Sequence, residues 1–346
     1  MTLGAGDLVD AGLVAPERLG ELQRVAARFQ VALTEEVAAL IDLADPADPI
    51  AAQFVPSEAE LDTSPQEQAD PIGDERWSPV PGIVHRYPDR VLLKPSLVCP
   101  VYCRYCFRRE QIGGRGKVLG RAALERAFGY IRGRPEIWEV IVTGGDPLLL
   151  TPRRIAAIVG ALTAIEHVRV IRFHSRVPIV DPKRMTAALI KALAAEKAVY
   201  VVIHANHPRE LTDAAKAAVG RIVRAGIPVL SQSVLLRGVN DDAAVLEQLF
   251  RALVAMRVKP YYLHHPDLAR GTSHFRSDIA EGQGLMRELR RRASGLCQPT
   301  YVLDIPGGHG KVPVGPCWLH RDGEGWRVED SAGQSYHYPP HAGDRE

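Results

Sequence analysis

From residue 91 onward, short runs of β-branched and aliphatic residues alternate with longer stretches whose apolar positions recur at helical spacing. The short runs predict six strands, at Val91–Leu97, Glu139–Thr143, Arg169–His174, Val199–His204, Pro228–Ser233 and Val258–Leu263. The amphipathic stretches predict five helices, at Arg121–Gly133, Pro152–Leu162, Pro182–Ala195, Asp213–Ala225 and Asp242–Met256. Thr151 and Asp181 each precede a proline, which is typical of a helix start, and Gly226 is typical of a helix end.

Six strands that alternate with five helices imply parallel strands joined by right-handed crossovers. We therefore predict the α/β class and a closed or partly closed barrel. In such barrels the chemistry collects where the strands end, so the polar residues that follow each predicted strand are the first candidates for a functional site. They are the cysteine loop at 99–106, Gly144–Asp146, His174–Arg176, His204–His207, Gln232–Ser233 and His264–Asp267.

The region before the barrel has a different composition. Residues 1–45 carry apolar residues at helical spacing, as at Leu22 and Val25, whereas residues 44–85 are rich in Pro, Asp and Glu and predict an extended segment that wraps the barrel. We predict three parts: a helical and wrapping segment at 1–84, the barrel core at 85–320, and a polar C-terminal tail at 321–346.

The composition narrows the class of protein. Of 346 residues, 46% are hydrophobic and 24% charged, and the net charge of +2 gives no reason to expect a nucleic acid or a membrane surface as partner. No stretch reaches the ~18 apolar residues of a membrane span, and no basic-then-apolar signal pattern opens the chain, so we expect a cytoplasmic protein. Five cysteines, three of them close together, are a poor disulfide framework and favour metal binding.

Cys99, Cys103 and Cys106 form a C-x3-C-x2-C spacing directly after the first predicted strand. Three thiolates on one short loop can bind three irons of a four-iron cluster and leave the fourth iron open to a small molecule. A structural zinc ion normally takes four ligands, and no fourth Cys or His lies at a usual spacing. Zinc binding and incidental thiols are the alternatives, but the position of the loop at the catalytic end of the barrel favours the cluster.

This cysteine spacing resembles that of the radical S-adenosylmethionine (SAM) superfamily. The resemblance implies a partial (β/α)6 barrel, a [4Fe-4S] cluster on the three cysteines, and SAM bound at the open iron and cleaved to a 5′-deoxyadenosyl radical. The turn Gly144-Gly145-Asp146 after the second strand is similar to the superfamily's turn that contacts the methionine amino group. Alone this turn is weak evidence for SAM binding, because glycines that allow close backbone approach also occur in ordinary loops.

Further blocks resemble one family within that superfamily. They are His85–Arg90, Cys103–Arg109, Ser231–Asp241, Pro260–Asp267 and Leu303–Lys311. Each is similar, in the same order, to a block of lysine 2,3-aminomutase, and the resemblance covers roughly residues 50–330. It implies an isomerase that uses the cluster, SAM and pyridoxal phosphate (PLP) to move an amino group between adjacent carbons of L-lysine and so form β-lysine.

The resemblance also implies which residues hold PLP. Lys311 follows a Pro-Gly-Gly-x-Gly sequence, and flexible backbone suits a lysine that must reach a cofactor aldehyde, although such a lysine taken alone is more often solvated on a surface turn. By resemblance Lys311 is the lysine that bonds to PLP. Arg86, Tyr87, Arg90 and Gln232 then hold the ring and the phosphate, and two arginines suit a phosphate dianion.

Charge predicts the substrate pocket. By resemblance Arg108 binds the substrate carboxylate, and Asp267 and Asp304 bind the distant ammonium, which two carboxylates neutralise better than one. Relatives that take glutamate carry a lysine and an asparagine at the two acidic positions, so both aspartates favour lysine. The plainer alternatives are a loop carboxylate at Asp267 and a cap at Asp304.

Two departures from the family are visible. Clostridial-type enzymes carry a zinc site made by a cysteine after an Asn-Asp pair and three more in a C-terminal extension, whereas this chain has Asp242 at the first position and only Cys317 near the end. We therefore predict no structural zinc, with Cys297 and Cys317 as buried or free thiols. The short C-terminus resembles the bacterial form that makes (R)-β-lysine for elongation factor P, yet that form lacks the Lys311 block.

Two rival functions follow from the same residues. One is an aminomutase that acts on another amino acid, and Asp267 with Asp304 argues against an acidic substrate. The other is a non-catalytic iron–sulfur protein, which would have no need of the Lys311 block. The expected partners are lysine and an electron donor such as flavodoxin or ferredoxin, and homo-oligomerisation stays open.

Overall fold

The computed structural model describes residues 2–113 and 118–339. Its N-terminal part consists of short elements that lie against the barrel. They are strands β1 (Thr2–Leu3) and β2 (Leu33–Thr34), which pair antiparallel, and helices α1 (Ala5–Asp10), α2 (Leu19–Arg28), α3 (Glu35–Ala38) and α4 (Pro49–Phe54). Leu22 and Val25 on α2 are completely buried, as the helical spacing predicts.

A nine-stranded sheet forms the core of the molecule. Its strands are β3 (Ile83–Tyr87), β4 (Arg90–Ser96), β5 (Glu139–Gly144), β6 (Val170–Ser175), β7 (Ala198–His204), β8 (Val229–Val234), β9 (Val258–His264), β10 (Thr300–Ile305) and β11 (Gly310–Pro313). They lie in chain order, with β4 to β10 parallel and with β3 and β11 antiparallel at the two edges. The predicted α/β class and partial barrel are confirmed.

Helices cover the outer face of the sheet. They are α5 (Arg121–Arg132), α6 (Pro152–Thr163), α7 (Val177–Val180), α8 (Ala187–Leu193), α9 (Asp213–Arg224), α10 (Ala243–Ala255) and α11 (Ile279–Arg292). The Thr151 hydroxyl caps α6 by accepting from the Arg154 N–H. The predicted helix Pro182–Ala195 is wrong, because its first residues form a 3₁₀ turn and the Thr186 hydroxyl then caps a separate, shorter helix.

The sequence did not predict several of the strands. They are the seventh parallel strand, β10, both edge strands, and the strands of a separate antiparallel sheet in the C-terminal region. That sheet consists of β12 (Leu319–Asp322), β13 (Gly325–Glu329) and β14 (Ser335–Tyr338). Its strands are largely exposed, so the burial that makes a strand recognisable in a sequence is missing there.

The two edges of the large sheet, β3 and β11, share no backbone ladder in the part of the chain that the structure describes. A side chain joins them instead, since the Lys311 N–H donates to the Tyr87 hydroxyl at 2.7 Å. The N-terminal segment crosses the same gap, where the Gly307 N–H donates to the Pro71 carbonyl at 3.1 Å. Gly73 fits there because it has a φ of +66°, and a Cβ on it would lie 2.7 Å from the Gly307 carbonyl oxygen.

Among residues 2–113 and 118–339, we find no helix with the length and apolar character needed to cross a bilayer.

Candidate active site

The three clustered cysteines follow β4 at the C-terminal mouth of the barrel. All three are free thiols, and burial raises the pKa of each, that of Cys106 to about 11. The Arg176 guanidinium donates to the Cys103 sulfur at 3.2 Å, which suits a thiolate. Within the described residues, no three Cys, His, Asp or Glu side chains surround a single metal position. A four-iron cluster places each thiolate on a different iron, and this loop of three half-buried cysteines beside an arginine fits that group.

Arginines of the cysteine loop are tied to the N-terminal segment through Glu60. The Arg104 Nε donates to the buried Glu60 carboxylate at 2.9 Å, and an Arg109 guanidinium nitrogen donates to the same group. Arg109 also lies over the Phe29 ring, 3.6 Å from its centroid. These contacts, which the sequence analysis did not anticipate, fix the backbone of the cysteine loop.

Gly144 and Gly145 lie beside the start of the cysteine loop. A Cβ at Gly144 would lie 2.6 Å from the Ser96 carbonyl oxygen, and one at Gly145 would lie 2.4 Å from that of Val98. The missing side chains therefore let the end of β5 pack against the chain that leads into the cysteines. Their contact with the SAM amino group stays a prediction.

Asp146 acts as an internal brace at the same place. Its carboxylate accepts from the Ser175 hydroxyl at 2.7 Å, from the Arg176 N–H at 2.7 Å and from the Leu148 N–H at 3.0 Å. The side chain is buried, so β5 and β6 are joined where both strands end. Because the Asp146 carboxylate is engaged in these hydrogen bonds, SAM would be contacted by the backbone of Asp146. That contact stays a prediction.

Lys311, the second residue of β11, points into the barrel mouth. Its Nζ donates to the Asp304 carboxylate and lies 3.1 Å from the His264 Nδ1. The Tyr262 ring centroid is 5.5 Å from the same Nζ. Lys311 is thus a partly buried lysine within a polar and aromatic pocket, in contrast to the solvated surface lysine of the alternative interpretation.

The other residues predicted to hold PLP lie around this pocket. Arg86 is buried at the end of β3, with Nη1 3.6 Å from Asp304, and its Nε and Nη1 have no hydrogen-bond partner among the described residues. Arg90 stacks on the Tyr87 ring at 3.7 Å from the centroid. Gln232 is buried near the end of β8, where it pairs in register with Tyr262 of the next strand.

The residues predicted to hold the substrate share this charge cluster. Asp267 follows β9, and burial together with the neighbouring Asp304 carboxylate raises its pKa to about 7. Burial acts to raise the pKa of Asp304 as well, but the His264 hydrogen bond and the Lys311 charge outweigh it and hold that pKa below its usual range. Lys311, Arg108 and Arg86 all act electrostatically on Asp267, so the structure brings the predicted residues together.

Three histidines line the strand ends around the mouth. His204 and His264 are the last residues of β7 and β9, and His174 is the last but one of β6. Burial lowers the pKa of each, that of His204 to about 3 and that of His264 to about 4. They are therefore neutral at pH 7. The Nε2 atoms of His174 and His204 and the Ser231 Oγ are buried without partners in the part of the chain described. Buried polar atoms without protein partners fit a site that takes a polar ligand such as SAM or PLP.

A partial barrel with three cysteines on the loop after its first parallel strand, beside a mouth lined by polar side chains, defines the radical SAM class of enzymes. Residues 93–249 match the model of the radical SAM superfamily. The chain is 41% identical over 306 residues to an L-lysine 2,3-aminomutase of Acetoanaerobium sticklandii, covering 88% of this chain and 74% of that one. It is 40% identical over 291 residues to the L-lysine 2,3-aminomutase of Clostridium subterminale, covering 84% and 70% of the two chains.

A glutamate 2,3-aminomutase of Clostridioides difficile is 37% identical over 298 residues, covering 86% of this chain and 70% of that one. The chain thus belongs to the lysine 2,3-aminomutase family of radical SAM enzymes. Members of this family are isomerases that use a [4Fe-4S] cluster, SAM and PLP, which confirms the cofactors expected from the sequence.

Proposed function

We propose that the protein is a radical SAM, PLP-dependent 2,3-aminomutase that converts L-lysine to β-lysine by 1,2-amino migration. One juxtaposition supports this most strongly. Lys311, Asp304 and Asp267 share a charge cluster with Arg108, which lies two residues after the last cluster cysteine. A lysine for the cofactor, a cation for a carboxylate and two carboxylates for an ammonium are therefore adjacent to the cysteine loop.

The cofactors divide the chemistry. The cluster with SAM supplies the radical that removes a substrate hydrogen, and PLP supplies a conjugated ring that spreads the unpaired electron. In the proposal Cys99, Cys103 and Cys106 hold the cluster, the Gly144–Asp146 turn contacts SAM, and Lys311 holds PLP. Arg86, Tyr87, Arg90 and Gln232 surround the PLP ring and phosphate. The remaining task of the chain is to position the substrate and exclude water, because the reacting atoms must lie near contact.

Charge favours lysine as the substrate. Arg108 would bind the α-carboxylate, and Asp267 and Asp304 would bind the ε-ammonium. The Asp304 carboxylate accepts from the Lys311 ammonium, so it is placed to receive an ammonium donor. A glutamate side chain would instead bring a third carboxylate toward Asp267 and Asp304, which like-charge repulsion opposes.

The test is an anaerobic assay. The protein would be reconstituted with iron, sulfide and PLP, then given SAM, a strong reductant and either L-lysine or L-glutamate, with products resolved by chiral mass spectrometry. We expect β-lysine and no β-glutamate, with Asp267→Asn losing most lysine turnover. Deoxyadenosine without β-lysine would refute the substrate assignment and leave the radical chemistry intact. Formation of β-glutamate would favour the alternative substrate.

Further aspects of the function belong to the same proposal. The cluster must be reduced by one electron, so we infer a donor such as flavodoxin or ferredoxin, in a cytoplasmic setting that keeps the thiols reduced. The configuration of the β-lysine product would separate a free metabolite from one destined for elongation factor P. A sedimentation experiment would decide between a monomer and a homo-oligomer.

A further inference from the structure

We propose that Asp74 is a positioning residue for the amino-acid substrate, because it fixes the Arg108 guanidinium by one edge and turns the opposite edge toward the substrate carboxylate. This inference rests on the proposed function, in which Arg108 binds that carboxylate. Asp74 belongs to the N-terminal wrapping segment, 34 residues before Arg108 in the sequence.

The contact between the two residues is made on a single edge of the guanidinium. The Arg108 Nε donates to the Asp74 Oδ2 at 2.7 Å, and the Phe107 ring lies under the guanidinium with its centroid 4.4 Å from the Arg108 Cζ. Among the described residues, the two terminal nitrogens of Arg108 donate no hydrogen bond. A guanidinium held at Nε and on one face keeps its terminal pair of nitrogens oriented, and that pair matches a carboxylate in bidentate geometry.

Asp74 is a buried anion surrounded by three cations. Besides Arg108, the Lys94 Nζ lies 3.3 Å from its Oδ2, and the Arg86 Nη2 lies 3.6 Å from its Oδ1. Its side chain is 1% exposed, so solvent does not screen these charges. Arg86 also pairs with Asp304, so Arg108 and Lys94 are the two cations that share the Asp74 carboxylate, and a substrate carboxylate would supply a second anion to this pair.

The backbone around Asp74 is itself held in place. The Asp70 carboxylate accepts from the Asp74 N–H at 2.9 Å and from the Glu75 N–H at 2.8 Å. Just before Asp74, Gly73 packs against the Gly307 backbone next to the Lys311 turn. The position of the Asp74 carboxylate is therefore set by the docked wrapping segment, and the substrate arginine is fixed only when this segment closes over the barrel.

The experiment compares two ligands that differ by one carboxylate. The PLP-loaded protein, kept without reductant so that no turnover occurs, would be titrated with L-lysine and with 1,5-diaminopentane, and binding would be followed by the PLP absorption. We expect Asp74→Asn to weaken L-lysine binding about tenfold or more, the loss of a charge-assisted contact, and to change diamine binding by less than about twofold. Equal effects on both ligands, or no effect on lysine, would overturn the inference.

A matched control is available in the same segment. Glu67 is also a buried carboxylate paired with an arginine, at 2.8 Å from Arg276, but among the described residues it has no hydrogen bond or ion pair with Arg108. Glu67→Gln should leave the ratio of lysine to diamine affinity unchanged. If Asp74→Asn does not fold, the double variant Asp74→Asn with Lys94→Met removes an anion and a cation together. It is expected to show the same weakening of L-lysine binding relative to diamine binding.

The outcome separates this inference from the proposed function. If the wild-type protein binds L-lysine but forms no β-lysine, the proposed reaction fails while the comparison of the two ligands still decides the role of Asp74. If the wild-type protein forms β-lysine but Asp74→Asn binds lysine normally, the reaction stands and the positioning role falls.

Discussion

Asp304 and Lys311 stand directly opposite each other in the antiparallel hairpin of β10 and β11, and the Lys311 Nζ donates to the Asp304 carboxylate. Because the register of the hairpin fixes their separation, the lysine proposed to hold PLP and a carboxylate proposed to hold the substrate ammonium are placed by one backbone feature. The Gly-rich turn between them therefore sets the separation of the two side chains, in addition to giving Lys311 the flexible backbone that it needs.

Borohydride reduction of the PLP-loaded protein should attach the cofactor to Lys311. The site contains a second buried lysine, Lys94, whose pKa is lowered by burial in spite of the opposing Asp74 charge. Peptide mass spectrometry after reduction would distinguish the two. We expect label on Lys311 in the wild type, loss of label in Lys311→Ala and retention in Lys94→Met. Label on Lys94 would contradict the assignment.

The cofactor-free protein should show opposite pH effects at the paired carboxylates. The folded-state pKa of Asp267 is about 7, above its usual value, so its favourable contribution is complete at acidic pH and is lost as the pH rises through about 7. Relative to the wild type, Asp267→Asn should therefore gain ~1–3 kcal/mol of unfolding free energy between pH 5 and pH 8. Urea unfolding at both values measures this.

Asp304→Asn is the matched control for that experiment. The pKa of Asp304 is held below its usual range, so its contribution is present throughout this interval and is lost only as the pH falls into the acid region. Because the Asp304 charge also raises the pKa of Asp267, its removal lowers that pKa, so the loss of stability in this variant should shrink from pH 5 to pH 8 by less than the gain in Asp267→Asn. A parallel pH dependence in the two variants would show that the carboxylates are not electrostatically distinct.

Gly145→Ala should disrupt the cysteine loop. The added Cβ would lie 2.4 Å from the Val98 carbonyl oxygen, a backbone atom that cannot turn aside. We expect ~1–3 kcal/mol of destabilisation and poor cluster retention, measured by thermal unfolding and by iron content. Gly160→Ala on α6 meets no atom within 4 Å and should be neutral or stabilising by ~0.5–1 kcal/mol. Similar behaviour of the two variants would refute the packing argument.

Arg176→Met should weaken cluster retention about 10-fold or more, because Arg176 donates a hydrogen bond to Cys103, one of the cysteines proposed to bind the cluster. Arg172→Met is the control, since Arg176 pairs with Glu210 and Arg172 pairs with Glu139 at 2.8 Å, but among the described residues Arg172 donates to no cysteine. Iron and sulfide analysis after desalting compares them. Equal iron loss in both variants would mean that Arg176 acts through general stability alone.

The parallel strands were predictable because their residues repeat a local signal. Val140, Val142 and Ile171 belong to short apolar runs, and all three are completely buried. The strand β10 escaped prediction because Leu303 and Asp304 were interpreted as part of a motif and no crossover helix follows them. The positions of Lys311, Asp267 and Asp304 were predictable by resemblance, and their adjacency depends on the pairing of β9, β10 and β11.

The residues that fix the site arginines, Glu60 and Asp74, had no such local signal in the sequence. Glu60 and Asp74 lie in a segment rich in acidic residues, and nothing local distinguishes them from the exposed carboxylates around them. Their partners, Arg104 and Arg108, are more than 30 residues away. The folding of the wrapping segment onto the barrel creates these contacts, so only a three-dimensional structure identifies them.

The seam between β3 and β11 also has a consequence for motion. Every other boundary between neighbouring strands of the large sheet is a ladder of backbone bonds that opens only as a unit, whereas here the Tyr87 hydroxyl and the Pro71 carbonyl each receive one amide. Such a boundary can part in local fluctuations far smaller than global unfolding. The Lys311 and Gly307 amides should therefore exchange their hydrogens with solvent faster than those of β5 or β6, and the seam is the part of the barrel wall that can open most readily to admit a large cofactor.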